Sequence, residues 1–95
     1  MMRVRFSALA LNDLEEIADY IGRDNTEAAR RVVNGIEEAC FSLGEFPELG
    51  VKSEVPRVRK LLVHGLPYKI IYETAKTKGV VVILRVYHDA RDSRY

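Results

Sequence analysis

"RVRKLLVHGLPYKIIYETAKTKGVVVILRVYH", residues 57–88, decides the fold. Its apolar residues fall into three short runs, "RVRKLLVH" (57–64), "YKIIYE" (68–73) and "VVVILRVYH" (80–88). All three read as strands, and the second and third are rich in β-branched and aromatic side chains. "GLP" (65–67) and "TAKTKG" (74–79) carry the Gly and Pro of turns. Connections this short join antiparallel neighbours, so the stretch predicts a three-stranded meander. In the third strand, alternation sets Val80, Val82, Leu84 and Val86 on one side and Val81, Ile83, Arg85 and Tyr87 on the other. The first set is uniformly apolar and is expected to face the core, leaving a partly polar surface around Arg85 and Tyr87.

A sheet with one apolar face needs a cover, and the N-terminal half supplies it. "RVRF" (3–6) alternates as a short strand, with Val4 and Phe6 on one side and Arg3 and Arg5 on the other. Ser7 stands where a helix N-cap belongs, followed by Leu11, Leu14, Ile17, Ala18 and Ile21 at helical spacing up to Gly22. Asp13, Glu15, Glu16 and Asp19 are read as the outer face of that helix. A second helix starts at Asn25 or Thr26, with Glu27 in its first turn, and its stripe Ala29, Val32, Val33, Ile36, Cys40 and Leu43 runs to Gly44. Two amphipathic helices so close together form an antiparallel hairpin. The expected class is α+β: an N-terminal strand, a helical hairpin packed on a twisted antiparallel sheet, and a C-terminal meander.

With 95 residues the chain is read as one domain, residues 1–95, of ordinary globular composition. The N-terminus lacks the apolar core of a signal peptide, and the longest apolar run is far short of a membrane span, so a cytoplasmic location and no membrane partner are expected. Cys40 shares the helical stripe and is read as a packed core thiol; no metal or cofactor is expected. The net charge of +1 conceals an asymmetry: residues 1–50 hold five Lys/Arg against ten Asp/Glu, residues 51–95 ten against four. A basic half reads either as a surface that attracts nucleic acid or an acidic protein or as merely solvated strand faces. The small net charge and the lack of a recognisable base-reading helix argue against sequence-specific nucleic-acid binding.

The ordered set "ALNDLEEIADYI", "AARRVVNGIEEA", "FPELG", "VRKLLVHGLPYKIIYE" and "VVVILRVYHDARD" resembles the ParE/RelE superfamily of toxins from type II toxin–antitoxin modules. The likeness spans residues 3–91. It implies a helical hairpin on a twisted antiparallel sheet, a cognate ParD-like antitoxin, and one of two targets. RelE-like members cut mRNA on the ribosome, which needs proton-transfer groups and cations against the developing phosphorane charge. Carried over position by position, that set would be Lys60, Lys69 and Tyr95. The second lysine of the pattern falls on Leu62, Lys69 replaces an Arg, and the Arg past the last strand falls near Asp89. ParE-like members act on DNA gyrase and need no catalytic set. The chain is similar to the second branch in "RVYHDARD" and residues 58–73, so inhibition of DNA gyrase is the expected activity, with no catalytic residues of its own.

The residues expected to contact target or antitoxin are Arg59, Lys60, Lys69, Arg85, Tyr87, His88 and Arg91. Arg59 and Arg85 have a structural alternative as cross-strand partners of Glu54 or Glu73. His88 reads either as an acid–base group or as a hydrogen-bonded end to the core face. Arg91 reads as a clamp on Asp89 or a strand end, or as a target contact. Tyr68 and Tyr72 share a strand face with Ile70 and are read as core aromatics.

Overall fold

The computed structural model describes residues 1–90. In chain order the elements are β1 (Arg3–Phe6), α1 (Ala8–Gly22), α2 (Thr26–Glu45), β2 (Val51–Lys52), β3 (Val58–Leu62), β4 (Tyr68–Ala75), a 3-10 turn (Lys76–Lys78) and β5 (Val80–His88). Five strands form one sheet in the order β1-β5-β4-β3-β2. The meander is antiparallel as read, and β2 adds antiparallel to β3 from inside what reads as a loop. β1 lies alongside β5 in parallel. The helical hairpin and the rest of the sheet intervene between them, ample chain for the crossover that parallel neighbours require.

Both helix starts are capped as expected. Ser7 Oγ accepts from the Ala10 amide at 3.0 Å and Asn25 Oδ1 from that of Ala28 at 3.0 Å, each meeting one of the unpaired donors of a first turn. From α2, Ile36, Cys40 and Leu43 are buried, with Val32 packed beside them; from α1, Ala10 and Leu14 are buried and Ile17 packs against the core. Tyr68, Ile70 and Tyr72 of β4 complete the core with Val81, Ile83 and Val86 of β5. Cys40 is fully buried, and its burial, with Glu37 nearby, pushes the thiol up to about 12, which confirms it as a packing group.

Two expectations about facing are corrected. The core face of β5 is not Val80, Val82, Leu84 and Val86: Tyr72 pairs with Ile83 and Ile71 with Arg85, so Leu84 is the extra residue of a β-bulge. The inward parity therefore runs Val81, Ile83, then Val86 and His88. In α1, Leu11 is 53% exposed while Asp13 is only 7% exposed, so the helix is turned from its expected stripe toward Ala10 and Asp13.

The bulge explains that rotation. β1 ends at Phe6 opposite Ile83, and α1 takes its place along the edge of β5. Ser7 donates its amide to the Ile83 carbonyl at 2.9 Å and its hydroxyl to the Leu84 carbonyl at 2.8 Å. Six residues on, Asp13 Oδ2 accepts from the Val86 amide at 2.9 Å. Asp13 also takes both Arg85 Nε, at 2.8 Å, and Nη2, at 2.9 Å, in a bidentate fork. A strand edge distorted by one extra residue thus finds its partners in a hydroxyl and a carboxylate instead of another strand.

Candidate binding face

The sheet has a helix-covered face and a far face, and the register assigns each residue. Across β3, β4 and β5 the far face carries the rows Val58, Glu73, Val82; then Lys60, Ile71, Arg85; then Leu62, Lys69, Tyr87. Val51 of β2 pairs with Lys60, and Arg5 of β1 with Val82. At the centre Ile71 is fully buried, with Lys60 and Arg85 on either side. At the β3 margin Leu62 is 67% and Val51 63% exposed. The surface combines exposed aliphatic groups with a frame of cations and one tyrosine, a composition suited to an extended or helical polypeptide with acidic residues.

Of the expected contact residues, Lys60, Lys69, Arg85 and Tyr87 come together here. Arg85 is already engaged: beyond the Asp13 fork, its guanidinium lies over the Tyr87 ring, 4.7 Å from the centroid. Its side chain is 24% exposed. Among the described residues its ion-pair partner is neither Glu54 nor Glu73 but the Asp13 carboxylate on α1, visible only once the bulge is known.

Arg59 and His88 belong to the helix-side face, at opposite ends of the sheet. Arg59 is paired in register with Tyr72, and its Nη1 donates to the Gly50 carbonyl at 2.7 Å. The same loop is held by Tyr72, whose hydroxyl donates to the Pro47 carbonyl and accepts from the Gly50 amide, both at 2.8 Å. Desolvation raises the pKa of that phenol, outweighing the opposite effect of the Gly50 hydrogen bond. Gly50 is required here, because a Cβ would stand 2.7 Å from the Lys60 carbonyl oxygen and 2.8 Å from the Tyr72 ring. His88 stacks edge-on against Tyr68 with centroids 5.4 Å apart, and its Nδ1 accepts from the Ala90 amide at 3.2 Å. It closes the core face as a hydrogen-bonded end residue. Arg91 and Tyr95 lie outside the described residues.

Arg3 and Arg5 were missed as members of the basic face. Their parity against Val4 and Phe6 was legible, but it gains meaning only when β1 is known to lie beside β5, where Arg3 meets Val80 and Arg5 meets Val82. For RNA cleavage the face offers Lys60 and Lys69 in adjacent rows, while Leu62, directly opposite Lys69, presents hydrocarbon where that chemistry calls for a cation.

Comparison with known proteins agrees with this architecture. Residues 4–93 match the family described as the ParE toxin of the type II toxin–antitoxin system parDE. Toxin RelE2 of Caulobacter vibrioides is 40% identical over 91 residues, covering 96% of this chain and 99% of that one. The structure of the chromosomal ParDE system from P. aeruginosa superposes with a TM-score of 0.79 at 28% identity, over 93% of this chain and 96% of that one. The toxin–antitoxin complex RelBE2 of Mycobacterium tuberculosis shares the fold, with a TM-score of 0.68 at 23% identity over 95% and 93% of the two chains.

Proposed function

This chain belongs to the ParE toxin family of type II toxin–antitoxin systems, and from that premise we propose that it inhibits DNA gyrase and is neutralised by a ParD-like antitoxin. The observation that carries the gyrase reading is the exposed Leu62 on the far face. Phosphoryl chemistry gains from fixed cations aimed at the reacting phosphate. An exposed leucine directly opposite Lys69, on a face whose arginine is already committed to Asp13, favours burial against a protein.

The antitoxin reading rests on the family and on charge. RelBE2 is a toxin–antitoxin complex. In this chain Arg5, Lys60 and Lys69 border an aliphatic strip, which fits a partner segment with acidic residues beside apolar ones.

The test uses purified, antitoxin-free protein in a gyrase assay that scores supercoiling and cleaved DNA. The expected result is dose-dependent loss of supercoiling with accumulation of cleaved complexes, reversed by antitoxin. No effect from folded protein in large excess, together with ribosome-dependent mRNA cleavage that Lys60→Ala abolishes, overturns the gyrase reading.

A further inference from the structure

At the end of the sheet where β3 begins and β4 finishes, the β2–β3 loop and the 3-10 turn stand apart and enclose a cleft of about 840 Å³. That volume lies within the range of ligand-binding pockets. Two locally unfavourable features meet there. In the turn Val55–Val58, closed by the Val58 amide on the Val55 carbonyl at 3.1 Å, Pro56 is followed by Arg57 at φ +68°. A proline followed by a positive φ is the signature of a type II turn, whose third position suits glycine. Arg57 is the non-glycine residue with positive φ among those described, and such conformations, held by the structure around them, cluster at ligand-binding sites. Thr74, which lines the same cleft, has its Oγ1 shut from solvent with no hydrogen-bond partner among the described residues.

The charges in the cleft are of both signs. Lys76 is paired with Glu48 at 3.2 Å, whereas Lys52, Arg57 and Lys78 stand with Glu54 and Glu73 in no ion pair among the described residues. A nucleic-acid backbone is anionic throughout and would set phosphates against those carboxylates. A polypeptide can alternate its charges to match.

We propose that this cleft is a docking site for a polypeptide segment of a protein partner, predominantly acidic with an interspersed basic residue, and that Arg57 is retained at a glycine position because its guanidinium anchors that segment. The site lies at the end of the sheet remote from Lys69, Tyr87 and His88, and the proposal holds whichever target the toxin has.

The test records amide resonances of the full chain during titration with three probes: a short peptide of Asp, Glu and Ser with one Lys, its charge-reversed counterpart, and a short DNA duplex. The first peptide should move amides of residues 52–58 and 73–78 saturably, and R57G should weaken that binding at least tenfold. R57G should melt at the same temperature as the parent or higher, since glycine relieves the turn. R31A, on the outer face of α2, should bind as the parent does. A lower melting temperature for R57G would overturn the anchoring role. Peptide shifts confined to the rows of Lys60 and Lys69, or no shifts, would overturn the site, and cleft shifts with the duplex in place of the peptide would overturn its assignment to a polypeptide.

Discussion

Tyr72 carries more structure than its place in the core suggests. Its ring fills the centre of the sheet while its hydroxyl organises the loop after α2, which in turn receives the Arg59 guanidinium. Tyr72→Phe keeps the ring and leaves a buried amide and a carbonyl without their partner, so it should cost about 2 kcal/mol or more in denaturant unfolding. Cys40 makes a second residue-level prediction. Its ordinary value of 9.0 applies to the unfolded chain, whereas burial raises the native thiol to about 12. Below pH 9 the thiol is neutral in both states and its contribution is intact. As pH rises from 9 toward 12, only the unfolded chain ionises, and stability falls by up to about 1.4 kcal/mol per pH unit. Cys40→Ala, whatever its cost in packing, should remove that component of the alkaline slope measured by urea unfolding.

At the scale of elements, the joint between α1 and β5 is decisive. Asp13 is buried and serves three donors on the bulged edge, so Asp13→Ala strands both a guanidinium and an amide. The loss should be about 2–4 kcal/mol in denaturant unfolding, tempered because Arg85 keeps some access to water. Arg85→Glu would set a second carboxylate against Asp13. It should therefore lower stability as well as antitoxin affinity, whereas Lys60→Glu should lower affinity alone; paired melting and binding measurements separate the two. This joint also marks the limit of what was legible. Strand and helix identities, caps and the Cys40 stripe follow from local periodicity and turn chemistry. A bulge does not, because "VVVILRVYH" is apolar on both parities as far as Leu84 and nothing local betrays the extra residue. Missing it exchanged the faces of β5 before Val86, and placing Asp13 among the exposed acids hid the partner of Arg85. β2 and the parallel seat of β1 depend on contacts distant in sequence, which no short window reveals.

Over the whole molecule, most of the acidic groups lie on the helical layer, and the centre of the sheet's far face is basic. Acidic groups such as Glu15, Glu16 and Asp19 lie on the outer surface of the helices, and Arg5, Lys60 and Lys69 on the far face of the sheet. An acidic partner is therefore steered toward one side, and its association rate should fall about tenfold between low and high salt while dissociation changes less, as stopped-flow mixing would show. The parallel pairing of β1 with β5 has a further consequence during synthesis. β5 is the shared neighbour of β1, β4 and α1, yet it is made after all of them. A nascent chain that has reached only Gly79 holds the helices and most of the sheet without the strand that unites them. Folding must wait until β5 clears the ribosome, so an interrupted translation leaves a chain without the strand that carries Arg85 and Tyr87, and the folded domain is complete only once β5 has been delivered.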